Sequence, residues 1–271
     1  MKAQTILQYD SPHQFEPLMP SEAALAPLLE AASDLTRKAT ALGAASGKAA
    51  QSELRKLLRS MNSYYTNRIE GEHTRPSDIE RALQQDFSAN ADLARKQRLA
   101  LAHIRTEELC EGELNRRLVE GGDQATRWLY STEALTWLHR ELFRDLPADD
   151  LRLVDGSVMV PGEVRQRGVA TGRHEAPTWE SLPRFLERWP QVYAGTRRGE
   201  ASVVALAAAH HRLAWMHPFL DGNGRVTRLH THLLLHGWGL TSGLVVPVAG
   251  FCAYRGQVQG PAAGGRRAPP R

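Results

Sequence analysis

Positions 217 to 228 read His217, Pro218, Phe219, Leu220, Asp221, Gly222, Asn223, Gly224, Arg225, Val226, Thr227, Arg228. A base, an acid, a glycine-bracketed turn and two arginines within so short a span are the residue types that handle phosphates. Gly222 and Gly224 let the backbone approach a ligand closely, and the apolar run over residues 226–235 predicts a helix that begins just after them. The free N–H groups at such a helix start face an anion. Arg225 and Arg228 are three apart, so both leave one face of that helix near its positive end, where guanidinium forks grip phosphate oxygens. Asp221 offers the hard oxygen that Mg2+ favours.

The elements that must position these residues read as helices. Ser21 caps a helix that runs from Glu22 to about Leu42, and residues 51–67 and 76–118 carry apolar side chains at three and four spacing. Another helical stretch covers residues 126–146, followed after a gap by 183–193 and by 201–216, which leads directly into His217. The texture differs between Val154 and Val169, where Gly156, Gly162 and Gly168 punctuate short runs such as Val158, Met159, Val160 and predict a hairpin. No internal repeat and no heptad run long enough for a coiled coil is present. The expected core is a helical bundle with one hairpin.

Residues 217–228 match the pattern HxFx(D/E)GNGRxxR and so resemble the signature of Fic domains, which transfer nucleotide monophosphates, usually AMP from ATP, onto protein hydroxyl groups. A second segment, Thr66, Asn67, Arg68, Ile69, Glu70, Gly71, resembles the (S/T)xxxE(G/N) inhibitory motif of many Fic proteins. Its place upstream resembles the class in which an N-terminal inhibitory helix precedes the Fic core. There the glutamate pairs with the second motif arginine and blocks seating of the ATP γ-phosphate, which implies Glu70 and Arg228 here. Glu72 departs from the asparagine or histidine common at that place.

The resemblance implies an all-α, mainly helical Fic fold with a small β-hairpin flap, and it implies roles. His217 deprotonates the target hydroxyl, Asp221 holds Mg2+ between the α- and β-phosphates, and the backbone of Gly222, Asn223 and Gly224 forms an anion hole. Arg225 holds the β-phosphate and Arg228 the γ-phosphate, while Phe219 anchors the loop in the core. The segment Pro161, Gly162, Glu163, Val164, Arg165 resembles the GxxR part of the flap, which holds a target segment by strand addition, so Gly162 and Arg165 are expected near the target. The implied organisation is an extended leader over 1–20, an N-terminal helical region over 21–118 with the inhibitory motif at 66–71, a catalytic core over 119–248, and an atypical disordered tail over 249–271. Related chains usually continue into further helices, so this tail predicts a truncated or frameshifted frame.

The implied activity is an autoinhibited, Mg2+-dependent protein adenylyltransferase that uses ATP and modifies a Ser, Thr or Tyr hydroxyl on a protein, itself included. Two alternatives stand beside it: a Fic enzyme that uses another nucleotide or phosphate donor or removes AMP, and a nucleotide-binding regulatory protein inactive because of its divergent C-terminus.

Composition is compatible with all three. With 271 residues and 42% hydrophobic content the chain buries a substantial core. The net charge of +4 equals the contribution of Arg255, Arg266, Arg267 and Arg271, so nucleic-acid binding is not indicated. Cys110 and Cys252 lie far apart and predict neither a disulfide framework nor a zinc site, and a reducing cytoplasm fits. No stretch reaches the length of a membrane span. His232 and His236 have i, i+4 spacing, yet no neighbouring carboxylate or cysteine, so they are expected to pack or be solvated.

Overall fold

The computed structural model describes residues 9–16, 18–45, 47–172, 174–195 and 199–241. The tail expected over 249–271 and the start of the leader lie outside these residues. Among the described residues the elements are α1 (Glu22–Ala44), α2 (Lys48–Ile69), α3 (Pro76–Leu83), α4 (Ala91–Gly121), α5 (Asp123–Trp128), α6 (Thr132–Phe143), a two-stranded antiparallel hairpin of β1 (Ala170–Thr171) and β2 (His174–Glu175), α7 (Leu182–Tyr193), α8 (Glu200–Met216) and α9 (Asn223–Gly237). The fold is therefore mainly helical with one small hairpin, and none of the described helices is long and apolar enough to cross a membrane.

Helix α9 is the centre of the bundle. Leu233 and Leu234 are wholly buried, and α4, α5, α6 and α8 pack around it, with α2 against its first turns. Leu135, Leu138 and Leu142 from α6, Leu213 from α8 and Phe185 and Trp189 from α7 close the same core. Aromatic packing extends it to the N-terminal segment: Phe15, on a 3-10 helix at Pro12–Phe15, meets Phe185 edge-on with ring centroids 5.3 Å apart. Within the leader expected to be extended over 1–20, the described Pro12–Phe15 is a 3-10 helix and Phe15 is buried in the core.

Local chemistry corrects two helices that periodicity alone runs together. The stretch 76–118 breaks into α3 and α4 because Gln85 adopts a positive φ of 62° and Asn90 caps α4, its side chain accepting from the Leu93 N–H at 3.0 Å. The buried Gln97 amide ties the intervening loop down, accepting from Ser88 N and donating to the carbonyls of Asp78 and Asp86. Residues 126–146 divide likewise at Ser131, which caps α6 through Ala134 N at 3.0 Å. The hairpin also differs from expectation. Segment 154–169 forms turns with a single bridge between Arg152 and Val158, and the paired strands fall at 170–175.

Four helices carry buried histidines whose pKa burial pushes far below the ordinary 6.5: His103 and His230 to about 3, His139 and His210 to about 4. On unfolding each recovers its ordinary affinity, so below pH 6.5 the unfolded chain binds protons that the folded chain refuses, and stability falls with pH. Two buried groups oppose this, Glu107, raised to about 7, and His232, raised by its carboxylate neighbours against burial, but they are outnumbered by the four lowered imidazoles. A urea midpoint clearly lower at pH 5.5 than at pH 7.5 is expected; an equal or higher midpoint at pH 5.5 would show that these imidazoles are not held neutral.

Candidate active site

Helix α8 ends at Met216, and His217 then takes a left-handed conformation (φ 48°, ψ 62°) that costs a β-carbon residue about 1–2 kcal/mol. Arg165 holds it there. Only 2% exposed, its guanidinium donates to the carbonyls of His217 (2.7 Å), Met216 (3.4 Å), Arg167 (2.8 Å) and Pro177 (2.6 Å), and its backbone N–H donates to Pro218 O at 2.9 Å. Burial lowers the Arg165 pKa to about 10, still a cation at neutral pH.

The imidazole of His217 is oriented in turn. Its Nδ1 lies 2.7 Å from the carbonyl of Ala214, an acceptor only, so Nδ1 carries the proton and Nε2 presents its lone pair. Burial lowers the His217 pKa, which keeps the ring neutral and able to accept. The Thr171 hydroxyl on β1 lies 3.1 Å from Nε2.

The turn that follows is built by Asn223 and His139. Asn223, buried, accepts from Phe219 N (2.9 Å) and donates to Phe219 O (2.8 Å), closing the loop on itself. Gly222 has φ +75°, and a β-carbon there would lie 2.5 Å from the Phe143 ring, so the position excludes any side chain. His139 stacks on Phe219 with centroids 4.0 Å apart. Its Nδ1 accepts from Gly162 N at 2.7 Å and its Nε2 donates to Asp221 O at 3.2 Å, joining the segment before the hairpin to the loop. At Gly162 the φ of +87° and an Arg140 Cβ 3.0 Å from an added β-carbon make glycine necessary.

Helix α9 begins at Asn223, three residues earlier than its apolar run suggests, with Gly222 as its N-cap. Arg225 is buried, lies over the Phe143 ring at 4.8 Å and points Nη2 at Asp221 Oδ2, 3.4 Å away. The Asp221 side chain is 56% exposed at the rim. Arg228 reaches the end of α2: Nε donates to Thr66 Oγ1 at 2.8 Å, and Nη2 donates to Glu70 Oε1 at 2.5 Å and to Thr66 O at 3.3 Å. The Glu70 carboxylate rests on Gly224, where Oε1 would be 2.2 Å from an added β-carbon. A carboxylate therefore lies against the first turn of α9, the place where a helix favours an anion. Gly71 then turns the chain with φ +85°, Glu72 N donates to Asn67 O at 2.9 Å, and the Glu72 carboxylate pairs with Arg95 of α4 through two hydrogen bonds of 3.0 and 2.6 Å.

The sequence-predicted residues thus fall into two groups. His217, Asp221, Gly222, Asn223, Gly224, Arg225 and Arg228 share one loop and helix start, and Thr66, Glu70 and Gly71 meet them from α2. Arg165 is buried, its guanidinium on the carbonyls around His217, and Gly162 meets the loop through His139, so both support it; the target contact expected of them stays a proposal. The sequence carries no signal for His139 and Thr171, a histidine among apolar helix positions and a threonine in a two-residue strand.

The expectation that His232 and His236 lack carboxylate neighbours fails at His232. His232 does have carboxylate companions, Glu107 and Glu111, which arrive from α4 rather than from its own helix, and all three are buried. His232 Nε2 lies 2.7 Å from Glu111 Oε1 and 3.8 Å from Glu107 Oε1. Arg59 Nη2 donates to Glu111 at 2.5 Å and Asn62 donates to both oxygens of Glu107. These groups compensate one another as an ion network, with the His232 pKa raised by its carboxylates against the opposing effect of burial.

Replacing Arg165 with Met leaves four carbonyls without their charged donor and removes what stabilises the His217 backbone. A loss of about 3 kcal/mol in urea unfolding is expected; a variant as stable as the parent would remove Arg165 from this supporting role.

Comparison with known proteins agrees with this geometry. Residues 129–235 match the family model of the Fic/DOC family. Over 75 residues the chain is 36% identical to the protein adenylyltransferase Fic of Drosophila ananassae, covering 27% of this chain and 15% of that protein. The protein of the same name from Drosophila grimshawi aligns over the same length at 36% identity, covering 16% of its own length. The match thus spans less than a fifth of these curated relatives. The crystal structure of a Fic family protein from Desulfovibrio desulfuricans G20 superposes with a TM-score of 0.64 over 89% of this chain and 66% of that one, at 18% identity, a likeness of fold. Residues 129–235, the segment that encloses the whole 217–228 loop and helix start, thus form a domain of the Fic/DOC family.

Proposed function

We propose that this protein is an autoinhibited adenylyltransferase that moves AMP from ATP to a Ser, Thr or Tyr hydroxyl of a protein. The observation that carries the reading is the Glu70 carboxylate lying on Gly224 and Arg228, at the positive end of α9. The same backbone N–H groups and the same guanidinium suit a phosphate, and carboxylate and phosphate compete for them. The relatives named protein adenylyltransferases support the same chemistry.

In the reaction the acceptor oxygen attacks the α-phosphorus of ATP. The new O–P bond forms as the bond to the β-phosphate bridging oxygen breaks, and pyrophosphate leaves. His217 Nε2 takes the acceptor proton, a role suited to a neutral ring whose other nitrogen is held by Ala214 O. The N–H groups of the 222–224 turn stabilise the charge that gathers on the phosphate, where such preorganised donors are worth about 2.7–4 kcal/mol each. Arg225 and Arg228 hold the outer phosphates once Glu70 withdraws. Asp221, one exposed carboxylate beside the anion site, fits the way Mg2+ binds through one or two carboxylates plus substrate phosphates. Bound there, Mg2+ supplies charge neutralisation.

The test follows label from ATP labelled at the α-phosphate, with Mg2+, into the chain and into the proteins of a cell extract. Glu70→Gly should raise labelling on the order of tenfold or more, and adding His217→Ala should abolish it. Labelling no higher in Glu70→Gly than in the parent rejects the inhibitory role. Because burial lowers the His217 pKa, the acidic limb of the rate profile should fall below pH 6.5; a limb above 6.5 would contradict His217 as the base.

A further inference from the structure

The hairpin places one of the chain's own hydroxyls where an acceptor belongs. In the register of β1 and β2, Thr171 pairs with His174, so the two side chains share one face of the ribbon. Both reach the end of α8: His174 Nε2 lies 2.7 Å from the carbonyl of Trp215, and Thr171 Oγ1 lies 3.1 Å from His217 Nε2. Since Nδ1 of His217 is committed to Ala214 O, its Nε2 is the acceptor and the Thr171 O–H is the donor. That is the hydrogen bond a general base makes with the hydroxyl it activates. Thr171 is exposed.

We infer that Thr171 is an acceptor of AMP in the chain's own transfer reaction, an intramolecular modification on the hairpin. The inference rests on the adenylyl-transfer reading and names its substrate. The Thr171 Oγ attacks the α-phosphorus of ATP, the Oγ–P bond forms, the bond to pyrophosphate breaks, and the hydroxyl proton passes to His217 Nε2. The product carries a nucleotide on the strand that a target segment would pair with. Modification therefore closes the acceptor position to other hydroxyls and ends turnover on external targets.

The experiment uses the whole 271-residue chain carrying Glu70→Gly, incubated with Mg2+ and ATP. Intact mass and peptide mapping report AMP, and the melting temperature of the same samples with and without ATP reports nucleotide binding separately. One AMP per chain, mapped to Thr171, forming at a first-order rate independent of chain concentration, is expected. Thr171→Val should abolish it and Thr171→Ser should keep it. AMP on another residue with Thr171 bare, or undiminished modification in Thr171→Val, overturns the acceptor assignment while transfer stands. No AMP, with a melting temperature that ATP raises, overturns it while the nucleotide site stands. No AMP and no ATP-dependent shift overturn both this inference and the proposed function.

Discussion

A guanidinium buried at the start of a central helix must have an anion. Arg228 sits among the first turns of α9, a helix enclosed on nearly every side, and a cation there without a partner costs several kcal/mol. Much of the architecture answers that demand. Helix α2 ends where it does so that Thr66 and Glu70 reach Nε and Nη2, and Gly224 lacks a side chain so that the Glu70 carboxylate can come down on the helix start. The need for an anion is the same whether a carboxylate of the chain or a phosphate of a ligand meets it. In the proposed function, this one buried charge would link the state of α2 to the occupancy of the site.

Helix α2 is attached in a way that suits exchange. Its inner face presents Asn62, Ser63, Thr66 and Asn67, all buried, against α4 and α9. Ser63 donates to Ala100 O and Asn62 to Glu107, while the apolar contribution is small: Tyr64 against a cluster of Ile79, Ala100 and Ile104. Hydrogen bonds between polar groups exchange with water at a modest net cost, about 1 kcal/mol each, whereas extracting a leucine-rich face does not. Several groups in this layer are incompletely satisfied, among them both ring nitrogens of His103 and Oδ1 of Asn62 and Asn67. A layer built this way holds a helix in register, by the geometry of its polar pairs, without the depth of burial that locks the α6, α8 and α9 core.

What the sequence made legible follows from where each interaction closes. The 217–228 loop completes its chemistry within a few residues, Asn223 bonding back to Phe219 and Asp221 to Gly222, so its residue types are readable in order. Helices α1, α7 and α8 were legible from apolar spacing. The break between α3 and α4 was not, because Gln85 at positive φ has no signature and Gln97, which ties the loop, reads as an ordinary polar helix residue. Paired strands of two residues leave no alternation to detect, so the glycine-rich 154–169 segment drew the hairpin away from 170–175. The companions of His232 lie on another helix more than a hundred residues earlier, beyond any local spacing rule. Arg165 is expected near the target from the flap resemblance, yet its guanidinium is spent largely on main-chain carbonyls that only the folded loop brings together.

Strain at His217 links these supports to the chemistry. A left-handed histidine persists only where the surroundings over-determine it, and here three separate contacts do. Arg165 fixes the carbonyl side of the residue, Ala214 O fixes the ring, and His139, stacked on Phe219, fixes the turn that follows. The outcome is a neutral imidazole whose Nε2 faces the hairpin and accepts from Thr171, on the far side of the loop from the start of α9. His217 and the start of α9, the base and the anion site of the proposed function, sit at opposite ends of one short loop. Helix propensity favours neither the reversal at residue 217 nor the tight turn at 222, and both are maintained by buried polar contacts that have no other evident task in the fold.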